Sequence, residues 1–226
     1  MDAGSRRWTR GRTRVMASGV LALAGAVYSG ASLRAADPTA GSAPPSAEAD
    51  RTNETASASS RPGARFDRAV LAGGCFWGME EILRKIPGVI DTKVGYTGGT
   101  TPQPRYDDVH TGETGHAEAV QIDFDTRELS YEDLLEKWFF RMHDPTTKNR
   151  QGNDRRTQYR SAIFVNSPEQ RRIAERVKRR VEESGRWRAP IVTEIVEVGV
   201  FTLAEQEHQD YLKKNPGGYS CHYLRD

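Results

Sequence analysis

Apolar and polar residues recur along residues 66–226 with the periods of short strands and amphipathic helices. The run RAVLA, residues 68–72, is a short apolar segment that predicts an interior strand ending at Gly73-Gly74. Apolar residues at spacings of three and four follow this turn and predict a helix. They are Phe76, Met79, Leu83 and Ile86. The pattern therefore predicts a strand, a tight turn and a helix in direct succession.

The segment 116–125, HAEAVQIDFD, alternates in the manner of a strand with one buried face. One face carries Glu118, Val120, Ile122 and Phe124. The other face carries Ala117, Ala119, Gln121 and Asp123. Further strands are predicted at 89–99, which runs into a glycine-rich turn, at 159–165 and at 191–198. The alternation places Glu118 on the apolar face, at the end of its strand.

Three further helices are predicted from capping residues that precede an apolar or charged run. Ser130 and Asp133 form a capping box before a helical stripe of Leu134, Leu135, Trp138, Phe139 and Met142. Ser167, Pro168 and Gln170 precede a long charged helix, and Thr202 and Glu205 are predicted to cap a last helix. Residues 215–226, NPGGYSCHYLRD, are predicted to be an irregular tail.

Helices and strands interleave, and most strands alternate between polar and apolar residues. Such strands favour a mixed sheet covered by helices on one face over a doubly wound parallel sheet. We therefore predict an α+β fold, a two-layer α/β plait with a ferredoxin-like core and an irregular C-terminal tail.

The first 65 residues differ in composition from the remainder. Residues 1–35 combine a basic segment with a short apolar run and small residues, which predicts an export signal or an N-terminal anchor. Residues 36–65 are rich in Ala, Ser and Pro and predict a disordered linker. We expect a domain at 66–226 and an exported protein, most simply periplasmic, that meets the membrane only through residues 1–35 if these stay uncleaved.

Charge and histidine spacing exclude two classes of function. The formal net charge is only +2, and much of the positive excess lies before residue 15, so we expect no nucleic-acid binding. His110, His116, His143, His208 and His222 are scattered without the spacing of metal ligands, so we expect no metal. His143 and His208 are predicted to be satisfied structural groups.

Cys75, one of only two cysteines, lies between a double glycine and a helix. Backbone N–H groups at a helix start stabilise a thiolate, so this position predicts a nucleophile with a lowered pKa. A Cys packed as a small hydrophobe is the alternative. Phe76 fits the buried stripe of the helix whereas Trp77 does not, which predicts that Trp77 forms an aromatic wall beside the sulfur.

Several blocks of residues resemble the A-type peptide methionine sulfoxide reductases. These are GCFWG at 74–78, GYTGG at 95–99, TGHAEAV at 114–120, HDP at 143–145, RQGNDRRTQYRSAI at 150–163 and HQDYLKKNPGGY at 208–219. The resemblance runs from about residue 68 to the C-terminus. It implies a domain that repairs proteins after oxidative damage by reducing methionine S-sulfoxide, protein-bound and possibly free.

The resemblance also implies the roles of individual residues. Cys75 attacks the sulfoxide sulfur and becomes a sulfenic acid, while Phe76 and Trp77 surround the ε-methyl group. Glu118 occupies the family's acid position. A normal glutamate is almost wholly ionised at neutral pH, so a buried one with a raised pKa is chemically useful here. Tyr106, Tyr159 and Asp154 match residues that bind the substrate in the family.

Cys221 lies in the glycine-rich tail, which we expect to swing toward Cys75. It is either a resolving cysteine that forms a transient disulfide with Cys75 or the partner in a permanent disulfide. The resemblance implies no bound cofactor and an external dithiol of the thioredoxin kind. Because the sequence ends at Asp226, we expect that reductant to meet the pair directly. A monomer is expected.

Two other classes of function remain as alternatives. A Cys-dependent hydrolase or acyl transferase would use a histidine as base to Cys75. A non-enzymatic, exported binding module would be stapled by a permanent disulfide. Acyl transfer has no need of a second cysteine beside a glycine hinge, which favours the redox reaction.

Overall fold

The computed structural model describes residues 65–226; the predicted signal or anchor at 1–35 and, except for residue 65, the predicted linker at 36–65 lie outside the described residues. The strands are β1 (Phe66–Gly73), β2 (Val89–Thr97), β3 (Ala117–Asp125), β4 (Arg150–Gln151), β5 (Asp154–Arg155), β6 (Ser161–Val165), β7 (Glu194–Glu197) and β8 (Thr202–Leu203). The α-helices are α1 (Phe76–Leu83), α2 (Tyr106–His110), α3 (Tyr131–Asp133), α4 (Phe140–Met142), α5 (Pro168–Glu183) and α6 (Tyr211–Lys214). Within this part of the chain, no helix is both long and apolar enough to cross a membrane.

Six strands form one sheet in the order β7-β6-β1-β3-β2-β8. Strand β7 lies parallel to β6, and the other neighbours in this sheet are antiparallel. The inner order β6-β1-β3-β2 is that of a ferredoxin-like plait. The predicted α+β fold with a mixed sheet is therefore confirmed, and the short hairpin of β4 and β5 is an addition that the sequence pattern did not indicate.

Different elements pack on the two faces of the sheet. The larger apolar cluster contains alternate residues of β1 and β3 together with side chains of α1 and α5, so the helices pack on this face. The other face carries small residues such as Ala72, Ala119 and Ala162, on which Val198 and Phe201 pack. The prediction for one face of β3 is confirmed, because Glu118, Val120, Ile122 and Phe124 are buried on the helical face; Ala117, Ala119 and Gln121 on the other face are buried as well, against the expectation of a single buried face.

The predicted turn between β1 and α1 places Cys75 at the start of the helix. Gly74 has φ of +115°, a conformation that L side chains rarely adopt, and Cys75 is the N-cap residue. Phe76, Met79 and Leu83 are fully buried, whereas Trp77 is only partly buried. The predicted division between the two aromatics of this helix is therefore confirmed.

Two of the three predicted caps are present. Ser130 Oγ accepts the N–H of Asp133 at 3.0 Å, and Ser167 Oγ accepts the N–H of Gln170 at 3.2 Å. Between α3 and α4 the chain forms a π-helix, Leu134–Phe139. The extra residue in each π turn shifts the buried stripe, so Phe140 is buried together with the predicted stripe, while Trp138 is only partly buried.

The predicted helix after Thr202 and Glu205 is wrong. Thr202 pairs with Tyr96 as part of β8, and α6 begins only at Tyr211. The carboxylate of Glu205 accepts the Tyr96 hydroxyl at 3.0 Å and the N–H of Tyr106 at 2.9 Å. These residues match a capping pattern locally, but their hydrogen bonds are made to distant parts of the chain.

Candidate active site

A cavity of about 180 Å³ opens at the start of α1. It is lined by Cys75, Phe76, Trp77, Tyr106, Glu118, Asp154, Tyr159 and Tyr219. Seven of these eight lining residues were predicted as site residues, and Tyr219 was not. The structure thus brings together residues from the start of α1, from α2, β3 and β5, from the segment before β6 and from the tail, which lie far apart in the sequence.

The thiol of Cys75 is buried, with a relative exposure of 6%. Its pKa is raised by burial and by the charge of Glu118, while the N–H of Trp77 acts in the opposite direction. The predicted lowering of the Cys75 pKa is therefore wrong. The helix start does favour the thiolate, but burial beside a carboxyl outweighs it, so Cys75 rests as a thiol.

Glu118 is 2% exposed and belongs to the same cavity. Burial raises its pKa to about 8; the N–H of Phe76 acts against this rise, and the charge of Asp154 adds to it. That N–H donates to Glu118 Oε2 at 3.0 Å, which leaves Oε1 as the oxygen able to carry the acid proton. At neutral pH Glu118 is mostly a neutral acid, as the buried-face prediction required.

The aromatic wall at Trp77 is held by partners that the sequence pattern did not indicate. The indole N–H donates to His208 Nδ1 at 3.2 Å, and the ring stacks on Tyr211 with centroids 3.9 Å apart. His208 also stacks on Tyr106 at 4.4 Å. His208 thereby fixes two lining residues at once, and the prediction that it is a satisfied structural group is confirmed.

Two phenols, Tyr106 and Tyr159, complete the polar side of the cavity. Burial and then the charge of Glu118 raise the pKa of Tyr106 to about 12, and the same causes raise the pKa of Tyr159. Both therefore stay protonated at neutral pH and can donate hydrogen bonds to an oxygen in the cavity. The N–H of Tyr106 is held by Glu205, which anchors the start of α2.

The C-terminal tail is docked against the site by Asp154. Its Oδ1 accepts the Tyr219 hydroxyl at 2.9 Å, and its Oδ2 accepts the Cys221 thiol at 3.2 Å. The backbone N–H of Cys75 in turn donates to the Cys221 sulfur. Cys221 therefore already lies beside Cys75 without the predicted swing, and both cysteines are free thiols.

Several residues of the site were missed by the sequence pattern. Tyr219 closes the resembling block that ends in GGY, and His222 directly follows Cys221, so both had a local signal. His208 opens a resembling block, but its partner Trp77 and the partners of Glu205, Tyr96 and Tyr106, had no local signal because they are more than 95 residues away. Only the folded chain shows that they hold the cavity.

His143 is fully buried and has structural partners. His143 bonds to Phe139 O at 2.8 Å and to Ser161 Oγ at 2.7 Å, and burial lowers its pKa to about 3. The prediction of a satisfied structural group is confirmed for His143. Within residues 65–226, no cluster of three or more histidine, cysteine and acidic side chains could hold a metal ion.

A buried thiol beside a neutral carboxylic acid and an aromatic wall, with a second free thiol alongside, defines a thiol-based redox enzyme. The family model described as peptide methionine sulfoxide reductase matches residues 67–226. The chain belongs to this family.

Relatives and solved structures agree with this assignment. The chain is 54% identical over 159 residues to peptide methionine sulfoxide reductase MsrA 1 of Mesorhizobium japonicum, covering 70% of this chain and 90% of the relative. It is 54% identical over 162 residues to MsrA of Streptomyces coelicolor, covering 72% of this chain and 91% of the relative. The reduced form of Mxr1 from Saccharomyces cerevisiae superposes with a TM-score of 0.68 at 38% identity, covering 73% of this chain and 94% of that one.

Proposed function

We propose that this chain reduces methionine S-sulfoxide to methionine by a cycle of its own two thiols. The observation that carries the proposal is the cavity itself, in which the Cys75 thiol, the neutral acid of Glu118 and the Trp77 wall surround one small space. The membership of the chain in the peptide methionine sulfoxide reductase family supports the same reaction.

In the first step the Cys75 sulfur attacks the sulfoxide sulfur. Glu118 Oε1 supplies a proton to the sulfoxide oxygen as it becomes basic, and the phenols of Tyr106 and Tyr159 donate hydrogen bonds to it. The thiol proton passes to Glu118 as Glu118 gives up its own, the sulfoxide S–O bond breaks, and the oxygen ends on Cys75 as a sulfenic acid while the thioether departs. Protonation of the oxygen is the reason that a carboxyl with a raised pKa is useful here.

In the second step Cys221 attacks the sulfenic acid and releases water, which leaves a Cys75–Cys221 disulfide. The thiol of Cys221 is already held beside Cys75 by Asp154 and by a backbone N–H. An external dithiol of the thioredoxin kind then restores both thiols. This reductant must reach Cys221, which is part of a tail whose neighbours Tyr219 and Tyr223 are exposed.

The size of the cavity supports protein-bound as well as free substrates. About 180 Å³ is below the usual range of roughly 300 to 1,000 Å³ for pockets that bury a whole small molecule. It admits the methyl sulfoxide end of a side chain and leaves the peptide outside. Tyr219, 46% exposed, forms part of the rim beside which that peptide would lie.

The site does not favour the hydrolase alternative. A hydrolase would pair the Cys75 thiol with an imidazole, yet the acid that faces this thiol is Glu118. His208 Nδ1 accepts the indole N–H of Trp77, and His222 lies with Nε2 against Gly73 O and Nδ1 against Cys221. Both cysteines are free thiols, which likewise does not support a binding module held by a permanent disulfide.

Single-turnover analysis of two serine variants tests the proposal. Reduced protein is mixed with a blocked methionine S-sulfoxide, and released thioether and remaining thiols are counted. We expect one thioether and the loss of two thiols in the wild type, and none of either for Cys75→Ser. Cys221→Ser should release one thioether and accumulate a sulfenic acid that dimedone traps. Thioether release by Cys75→Ser would contradict the proposal.

We also propose that the protein is exported and, unless residues 1–35 remain as an anchor, periplasmic. The basic and apolar pattern of residues 1–35 supports this location. Fractionation of expressing cells with mass measurement of the N-terminus tests it. An intact N-terminus in the cytosolic fraction would argue against export.

A further inference from the structure

Within residues 65–226, His222 is the histidine that contacts a reacting sulfur. The proposed cycle gives it no role. Its Nε2 lies 2.9 Å from Gly73 O, and its Nδ1 lies 3.4 Å from Cys221 Sγ. A carbonyl oxygen only accepts hydrogen bonds, so Nε2 must carry the ring hydrogen. The free lone pair is therefore on Nδ1, facing the Cys221 thiol.

The ring is neutral in the folded protein. Burial and the charge of Arg225 lower the pKa of His222 to about 4, against the opposing effects of Gly73 O and Asp154. A neutral imidazole can accept a proton, whereas an imidazolium cannot. His222 thus presents an open acceptor to Cys221 throughout the neutral range.

Asp154 is the other acceptor for the same thiol, but its charge opposes attack. Burial raises the pKa of Cys221 to about 12, and the hydrogen bond and charge of Asp154 add to the rise. The carboxylate therefore holds the thiol and disfavours its ionisation. An imidazolium formed at His222 would instead be stabilised by that carboxylate, whose charge raises the His222 pKa.

The position of His222 is built into the turn around Cys75. A β-carbon at Gly78 would lie 2.6 Å from His222 Nδ1, and one at Gly74 would lie 3.1 Å from its Cε1. Both glycines of the GCFWG block thus leave room for the ring. Beyond it, the N–H of Arg225 donates to Arg141 O at 2.9 Å, which fixes the end of the tail.

We propose that His222 is the catalytic base of the second step, taking the Cys221 proton through Nδ1 as the sulfur attacks the Cys75 sulfenic acid. The Cys221 S–H bond and the Cys75 S–O bond break, and the S–S bond forms. The departing hydroxide and one proton give water, with the proton returned from His222 or supplied by Glu118. Cys221 is oxidised and Cys75 is reduced, so no further reagent is needed.

This inference rests on the proposed function and is tested step by step in the full-length reduced protein. His222→Gln places an amide nitrogen where Nε2 lies, so it keeps the bond to Gly73 O but loses the base. His222→Asn places an amide oxygen near Nδ1 and loses the bond to Gly73 O. Thioether release is measured by rapid quench, and disulfide formation by the loss of the second thiol.

For His222→Gln we expect release of one thioether at the wild-type rate and disulfide formation slowed by at least tenfold, with a sulfenic acid that dimedone traps. His222→Ala should be slowed similarly and partly restored by added imidazole, which a purely structural role would not allow. Asp154→Asn, which keeps an acceptor, should slow disulfide formation less than His222→Gln does.

Wild-type disulfide formation in His222→Gln would overturn the role of His222, whatever Asn or Ala does. A slower step for Asp154→Asn than for His222→Gln would assign the base to Asp154 instead. Absence of thioether release in the wild type would overturn the proposed function itself, so the two failures are distinguishable.

Discussion

At the scale of single residues, two glutamates are adapted to opposite tasks: Glu118, which is buried in the cavity wall, and Glu205, which is only partly buried and binds the lining residue Tyr106. Burial acts to raise the pKa of both, but Glu205 is lowered overall because it accepts the N–H of Tyr106 and the hydroxyl of Tyr96. Within residues 65–226, Glu118 accepts the N–H of Phe76, and its pKa rises to about 8. Hydrogen bonds to the charged form thus keep the pKa of Glu205 low, so that it acts as an anchor, whereas Glu118 with fewer such bonds can act as an acid.

Replacement of the acid tests this assignment. The first-turnover rate of the wild type should fall as the pH rises through about 8, because Glu118 is then ionised and has no proton to donate. Glu118→Gln should lower the rate by about 10²-fold and remove the fall near pH 8. Glu205→Gln, which keeps an acceptor for Tyr106, is the matched control and should retain the wild-type profile. A wild-type rate in Glu118→Gln would remove the acid from the first step.

At the scale of elements, the start of α1 organises both thiols. The N–H of Trp77 favours the Cys75 thiolate, and the N–H of Cys75 donates to the Cys221 sulfur. The N–H groups that have no partner within the helix at its start therefore interact with both sulfurs. The tail can approach this closely because Gly78 has no side chain on the face that Ser220 and His222 cover.

Adding one methyl group at Gly78 should displace the tail. A β-carbon there would lie 2.5 Å from Ser220 Oγ and 2.6 Å from His222 Nδ1, so these residues must move. We expect Gly78→Ala to slow disulfide formation at least tenfold, by an amount comparable to the loss of a catalytic base, and to affect thioether release much less. Gly199→Ala, where a β-carbon meets nothing within 4 Å, is the control. Equal rates of disulfide formation in the two variants would show that the tail does not need this space.

At the scale of the whole molecule, buried carboxyl groups make the free energy of unfolding depend on pH. Glu118 and Glu80 are both buried carboxyls whose pKa values are raised, to about 8 and about 7. Between their unfolded values and these folded values, the folded chain holds more protons than the unfolded chain. Stability therefore falls as the pH rises through this interval.

Removal of the titrating group should flatten this dependence. The free energy of unfolding of Glu118→Gln, relative to the wild type, should increase from about pH 5 to pH 8, by up to roughly 1.4 kcal/mol per pH unit. Urea denaturation of the two proteins across this range measures the difference. A constant difference would mean that Glu118 does not hold a proton in the folded state.

The fold was largely predictable because its elements are encoded by short-range periods. The alternation in residues 116–125 placed Glu118 on the buried face, and the spacing after Cys75 separated Phe76 from Trp77, as the structure confirms. The helix expected after Thr202 failed because Glu205 satisfies Tyr96 and Tyr106, far away in the chain, instead of its own N-terminus. A local pattern cannot reveal which distant partner competes for a side chain.

The sequence by itself determined the turn that presents Cys75 and the family, because these depend on residues that are neighbours in the chain. Only the tertiary structure decided the electrostatics of the site. It buries Cys75 beside Glu118, so that the thiol pKa rises although the helix start alone would lower it. It also seats Cys221 between Asp154 and His222 before any reaction occurs. Desolvation and contacts between distant segments exist only once the chain has folded.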